Sequence, residues 1–134
     1  MNSSEQLTQI LQDSHTIAVV GLSADAHRPS NGVARYLQAH GYRIIPVNPK
    51  YDQILGERCY ADLRSIPEKV DIVDVFRKPA DCEPVAREAA AIGAKVLWLQ
   101  LGVVNEEARR IAETAGLQVV MDRCIKIDHA RLEG

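Results

Sequence analysis

Five polar segments of the chain carry side chains suited to an anionic ligand, and the first resembles a phosphate-binding loop. Gly21 ends an apolar run and allows a sharp turn, and Ser23 offers a hydroxyl group beside it. Ser30 and Asn31 stand where a helix is predicted to begin, and backbone amides at that position favour a phosphate. Arg28 adds a guanidinium group that can form two parallel hydrogen bonds with a phosphate. An ordinary surface loop is the alternative, because the patterns GxGxxG and GxxxxGK(S/T) are both absent.

The second segment carries a lysine where many dinucleotide-binding domains carry an acid. An NAD-binding domain uses an acidic residue after its second strand to hold the ribose hydroxyl groups. Here the segment reads Val47-Asn48-Pro49-Lys50-Tyr51, with no acid before the following residue. A lysine at this place favours a ribose that bears a phosphate, as in NADP or coenzyme A. A solvated lysine in a turn is the alternative interpretation.

The third segment adds two cations, and the fourth adds a glutamine and a glycine that suit contact with a ligand. Arg77 and Lys78 precede a predicted helix, where cations oppose the helix dipole unless an anion binds there. Arg77 is the better ligand candidate of the two, since Lys78 is equally well explained by a side chain in solvent. Gln100 offers hydrogen bonds to a base or an amide, and Gly102 permits close approach of a ligand.

The fifth segment contains a cysteine with neighbours that suggest two roles. Cys124 lies between Arg123 and Lys126, and cations beside a thiol favour its thiolate form. His129 follows five residues after the cysteine, which raises a Cys–His nucleophile hypothesis. A buried thiol, or one that simply contacts a ligand, is the alternative. The other histidines lack the spacing of metal ligands, so no metal site is predicted.

The elements that must position these segments follow from apolar periodicity and from glycine and proline positions. Ser3 and Gln6 have the spacing of a capping box and predict a short N-terminal helix. Alternating strands and helices then predict a three-layer α/β domain, Rossmann-like, with a five-stranded parallel sheet and helices on both faces. All five polar segments follow strands, which is where such sheets bind ligands. The predicted strands are 16–21, 43–49, 70–76, 96–99 and 117–122; the later helices are predicted from Ser30 or Asn31, from about Pro79 to Ala91, and after Asn105, followed by a short polar tail.

Composition narrows the class of protein. A chain of 134 residues is the size of one domain, here residues 1–134, and a hydrophobic fraction of 46% indicates a globular protein. Sixteen basic against eighteen acidic residues leave a net charge of -2, which argues against a general nucleic-acid binder. The apolar runs are too short to cross a bilayer and no signal segment opens the chain, so we expect no membrane partner and a cytoplasmic protein. Three widely spaced cysteines predict no disulfide framework.

In chain order, the five segments resemble those of the small stand-alone CoA-binding proteins, which are similar to the CoA-binding domain of the succinyl-CoA synthetase α subunit. The matching motifs are GLS with RPSNGVARYL, IIPVNPKY, VDVFRKP, WLQLGV and VMDRCIKIDHARL, and together they cover about residues 13–132. The resemblance implies a domain that binds coenzyme A or a short acyl-CoA. It also implies site residues: Gly21, Ser23, Ser30 and Asn31 at the phosphates, Lys50 at the phosphorylated adenosine, and Phe76, Arg77 and Pro79 along the cofactor.

The sequence departs from the synthetase in two ways. The segment ADAHRP lengthens the first loop, so its phosphate contacts need not be arranged alike. The synthetase's phosphorylated histidine and partner subunit have no counterpart here, so its activity is not carried over and no catalytic residue is assigned. We expect a carrier, sensor or regulatory module, with the pantetheine arm directed toward Gly102 and with Cys124 near the thiol. An NADP-dependent oxidoreductase, or a protein-interaction domain with a vestigial site, remain the alternatives, and a homo-oligomer is left open.

Overall fold

A computed structural model describes residues 2–133 and contains a five-stranded parallel sheet and a separate hairpin. The strands of the sheet are β1 (Thr16–Val20), β2 (Arg43–Val47), β5 (Ile72–Val75), β6 (Val96–Leu99) and β7 (Gln118–Val120), and the hairpin consists of β3 (Gln53–Ile54) and β4 (Glu57–Arg58). The order of strands in the sheet is β2-β1-β5-β6-β7. The helices are α1 (Ser4–Asp13), α2 (Pro29–Ala39), α3 (Cys82–Ala91), α4 (Glu106–Thr114) and α5 (Ile125–Glu133). Short 3-10 turns occupy Leu63–Ser65 and Pro79–Asp81.

The sheet is buried on both faces, which confirms the predicted three-layer architecture. Side chains alternate between faces along each strand. One face carries Val73 and Leu97 and packs against buried residues of α3 and α4. The other carries Val19 and Trp98 and packs against α1, α2 and α5. Both layers are mostly aliphatic. Because the strands are buried on both faces, they read as continuous apolar runs, as expected for a parallel sheet.

Local signals in the sequence located most elements. The Ser3–Gln6 capping box is present, and the Asn105 side chain accepts a hydrogen bond from the Ala108 amide at the start of α4. The five predicted strands are confirmed, with bounds shorter by one or two residues at several ends. The second helix begins at Pro29, slightly earlier than predicted, because proline fits the first helical position. Within residues 2–133, no helix is both long enough and apolar enough to span a membrane.

Two elements correct the sequence interpretation. The predicted polar tail is instead helix α5, whose polar side chains Asp128 and His129 are buried rather than solvated. Their burial is tolerated because both have hydrogen-bond partners, which a periodicity analysis does not detect. The β3–β4 hairpin was not predicted, because two-residue strands are too short to show an alternating pattern.

Candidate functional site

The strand order brings the five polar segments to one edge of the sheet. The chain leaves β1 toward β2 on one side and later returns to β5 on the other, so the order reverses between β1 and β5. The carboxyl edge at such a reversal is the usual ligand position in open parallel sheets. Neighbouring strands lie about 4.8 Å apart, so the row of segments from β2 to β7 extends over roughly 19 Å.

Gly21 joins the segments that follow β1, β2 and β5. Its φ angle is +84°, and its amide donates to the Val47 carbonyl at 2.9 Å. A Cβ atom on Gly21 would stand 2.2 Å from the Phe76 carbonyl oxygen and 3.5 Å from Cδ of Arg77. The backbones after β1 and β5 therefore touch, and the Arg77 side chain passes beside Gly21. The structure brings these three predicted site residues together.

The side chains of Ser30 and Asn31 hold the first loop in shape. The Ser30 Oγ accepts from the Ser23 amide at 3.0 Å, and the Asn31 Nδ2 donates to the Ser23 carbonyl at 2.9 Å. Both side chains are buried. The sequence predicts free amides at this helix start, but those of Asn31 and Gly32 donate to the Arg28 carbonyl at 3.1 and 3.3 Å. Of the amides of Ser30, Asn31 and Gly32, only that of Ser30 therefore has no backbone acceptor within residues 2–133.

Four cations of this edge have no acidic partner, unlike several of the cations elsewhere in the described chain. Elsewhere, Arg43 pairs with Glu57 and Glu68, and Lys95 pairs with Asp71. By contrast, no ion pair within the described residues involves the four cations that precede α2, follow β2 or follow β5: Arg28, Lys50, Arg77 and Lys78. All four are exposed or half-buried. The edge where the loops meet thus carries four cations without ion pairs among the described residues, in the same loops as the carboxylates of Asp25, Asp52 and Asp81.

Asn48 is a site residue that the sequence reasoning did not single out. Its buried Nδ2 donates to the Leu22 carbonyl at 3.0 Å, and its Oδ1 accepts from the Lys50 amide at 3.0 Å. The first bond ties the loop after β2 to the loop after β1, and the second sets the turn that presents Lys50. An asparagine before a proline is a typical turn signal, and that signal could have identified it.

The fourth segment makes structural contacts that the sequence did not predict. The Gln100 side chain is buried, and its Oε1 accepts from the Ile125 amide at 3.1 Å. This carbonyl oxygen therefore anchors the start of α5, and a contact of the Gln100 side chain with a ligand stays a prediction. Gly102 is exposed, and its amide donates to Asp122 Oδ1 at 2.7 Å, which joins the loops after β6 and β7.

The surroundings of Cys124 do not support the Cys–His nucleophile hypothesis. The His129 Nδ1 lies 2.9 Å from the Tyr36 hydroxyl, so this imidazole faces α2. The two flanking cations are engaged as well: Arg123 forms two hydrogen bonds with Asp128, and the Lys126 Nζ lies 5.4 Å from the Tyr36 ring centroid. Cys124 itself is half-buried at the carboxyl edge.

Asp74 is a second residue whose environment the sequence did not reveal. It lies in the middle of β5, in register with Val19 and Trp98, and is fully buried. Neither carboxyl oxygen has a hydrogen-bond partner within residues 2–133. Burial raises the pKa of this carboxyl well above its ordinary value, because the charged form cannot be solvated there.

Comparisons with known proteins identify a matching family and similar chains. The family model described as "CoA binding domain" matches residues 15–130. The uncharacterized protein YneT of Bacillus subtilis is 44% identical over 96% of this chain and 95% of its own length. The ADP-forming acetate–CoA ligase I of Archaeoglobus fulgidus is 28% identical over 81% of this chain, which corresponds to 17% of the ligase. A solved hypothetical protein from Pyrococcus horikoshii is 41% identical, with a TM-score of 0.96 over 99% of this chain and 94% of that one.

Proposed function

This chain belongs to the family of CoA-binding domains, and we propose that it binds coenzyme A across the carboxyl edge of its sheet. The observation that carries the proposal is that the segments joined by Gly21, those after β1, β2 and β5, carry four cations, none of which has an ion pair within residues 2–133. Coenzyme A bears a pyrophosphate and a ribose phosphate, so it would neutralise these cations. Desolvated phosphate–guanidinium and phosphate–ammonium contacts are strong, charge-assisted hydrogen bonds.

Each segment has a proposed role. Lys50 contacts the phosphorylated adenosine, while Arg28, Arg77 and the Ser30 amide contact the pyrophosphate. Ser23 shapes the first loop together with the start of α2, since its amide donates to the Ser30 hydroxyl and its carbonyl accepts from the Asn31 side chain. The pantetheine arm then passes Phe76 and Pro79 toward Gly102 and Cys124. We assign no catalytic residue and propose a carrier, sensor or regulatory module.

Substituting Lys50 or Arg77 by alanine is expected to weaken coenzyme A binding roughly tenfold each, the effect of losing about 1.4 kcal/mol from a charged contact. Isothermal titration calorimetry measures the dissociation constants. Lys69→Ala is the matched control, because Lys69 is also exposed and without an ion pair among the described residues but precedes β5 at the opposite edge. This variant should bind like the unmodified protein.

Dephospho-CoA separates the two contacts. Removing the ribose phosphate should weaken binding to the unmodified protein, and Lys50→Ala should then add little further loss, whereas Arg77→Ala should still add its own. Equal effects of Lys50→Ala, Arg77→Ala and Lys69→Ala would place the ligand elsewhere. Tighter binding of NADPH than of coenzyme A would favour an oxidoreductase. No binding of coenzyme A, NADPH or ATP would favour a protein-interaction domain.

A further inference from the structure

Exposed apolar side chains concentrate at the carboxyl edge. Within residues 2–133, the large apolar residues that are exposed are Tyr51 (38%), Leu101 (64%), Val104 (46%) and Ile127 (47%). Tyr51 follows β2, Leu101 and Val104 follow β6, and Ile127 is in the first turn of α5, directly after β7. All four therefore belong to segments at one edge of the sheet. Exposed apolar groups gathered in one place, with polar residues around them, mark a binding surface.

The order of these groups along the edge matches an amphiphilic ligand. Tyr51 and Lys50 lie at the β2 end, the cations Arg28 and Arg77 follow at β1 and β5, and the other apolar residues lie at β6 and β7. Three strand spacings separate the β2 end from β6, which is roughly 14 Å. An aromatic base, a phosphate centre and an apolar end would follow one another in this order.

The apolar end borders an open cavity, which is also lined by the charged residues Asp122, Arg123, Asp128 and Arg131. Leu101, Cys124 and Ile127, called the apolar shelf below, line a cavity of about 240 Å³. The charged groups of its walls are largely satisfied: Arg123 and Arg131 both pair with Asp128, at 2.7 and 3.5 Å, and Asp122 accepts from the Gly102 amide. The apolar side chains of the shelf, by contrast, are in contact with water and form no such pairs.

We propose that the apolar shelf receives the acyl group of a CoA thioester, so that the preferred ligand is a short aliphatic acyl-CoA rather than free coenzyme A. This inference rests on the proposed function, because the phosphates must occupy the cationic centre for the thioester to reach β6 and β7. Free coenzyme A ends in a thiol and leaves the shelf in water. An acyl chain removes both its own surface and that of Leu101 and Ile127 from water.

Calorimetric titration with coenzyme A, acetyl-CoA, butyryl-CoA and succinyl-CoA tests the proposal. One fully buried methylene group strengthens binding about fourfold, so two on a partly open shelf should give butyryl-CoA at least a roughly fivefold advantage over acetyl-CoA. Leu101→Ser and Ile127→Ser should each remove most of this advantage while leaving the affinity for free coenzyme A nearly unchanged. Ala115→Ser, an exposed substitution after α4 and away from this edge, is the control and should preserve it.

The outcomes distinguish this inference from the proposed function. If coenzyme A itself does not bind, the proposed function fails, and the acyl site fails with it. If coenzyme A binds but acetyl- and butyryl-CoA bind equally, the shelf proposal alone is overturned. Preference for succinyl-CoA over butyryl-CoA would also overturn it, because a carboxylate and not an apolar chain would then be recognised. A dimer that Leu101→Ser dissociates, with no acyl preference, would identify the shelf as an interface between copies and overturn it too.

Discussion

Replacing Gly21 by alanine is expected to lower the free energy of unfolding by about 3 to 5 kcal/mol and to abolish coenzyme A binding. Two costs add at this position. The φ angle of +84° is unfavourable for any residue with a Cβ atom, and that atom would stand 2.2 Å from the backbone oxygen of Phe76. A backbone oxygen directly after a central strand cannot rotate away as a side chain can. The total free energy of unfolding of a domain of this size is only about 5–15 kcal/mol.

Two other glycines separate these costs. Gly41 has a φ angle of +92°, and a Cβ atom there would meet no atom within 4 Å, so Gly41→Ala should show the backbone strain alone, about 1–2 kcal/mol. Gly32 is helical with only the Arg35 Nη2 nearby, at 3.9 Å, so Gly32→Ala should be neutral or stabilising by roughly 0.5–1 kcal/mol. Urea unfolding followed by circular dichroism measures all three variants. A loss for Gly21→Ala no greater than for Gly41→Ala would contradict the contact with Phe76.

Replacing Asp74 by valine is expected to stabilise the fold by at least about 2 kcal/mol at pH 7. Asp74 is fully buried, and its two carboxyl oxygens have no partner within residues 2–133. Its neighbours in register are Val19 and Trp98, so an apolar β-branched residue suits the site. By contrast, the buried polar side chains of α5, Asp128 and His129, have their own partners.

The pH dependence has a definite sign. The pKa of Asp74 is raised in the fold, so its contribution to stability is complete below the pKa of the unfolded chain and is lost as pH rises toward the folded pKa. The free energy of unfolding should therefore fall by up to about 1.4 kcal/mol per pH unit above roughly pH 4. Glu68 acts in the opposite direction, since its hydrogen bond with Arg43 lowers its pKa.

Asp74→Asn isolates the effect of Asp74, because the amide keeps the shape and polarity of the side chain but does not titrate. Urea unfolding from pH 4 to pH 8 should give a falling profile for the unmodified protein and a flatter one for the variant. Subtracting the two profiles removes the contribution of groups such as Glu68. Parallel profiles would show that Asp74 is solvated or paired and would contradict its burial.

Much of the architecture follows from short-range signals. Apolar runs ended by Gly21 or Gly102, caps such as Ser3 and Asn105, and the alternation of strands with helices are properties of neighbouring residues. They were sufficient to predict the five strands and the three layers. They also placed the five polar segments after strands, because the end of an apolar run is visible without knowing its partners.

The sequence also predicted which residues lie at the ligand edge, but not the hydrogen-bond partners of their side chains. Ser30 and Asn31 were correctly located at a helix start, but their contacts with Ser23 span seven or eight residues and depend on how the loop closes. The bond that the Gln100 carbonyl oxygen accepts from the Ile125 amide, 25 residues away, was not predicted either. Which cations lack an acid depends equally on distances between remote segments.

Residue order therefore predicted which elements form and which segments end at the ligand edge, since both depend on interactions within a few residues along the chain. The strand order β2-β1-β5-β6-β7, the helix α5 and the burial of the Asp74 carboxyl depended on tertiary packing. Polar residues in α5 and an aspartate in an apolar strand carry no local mark of burial. Burial is a property of what packs against a residue, and only the folded chain specifies those neighbours.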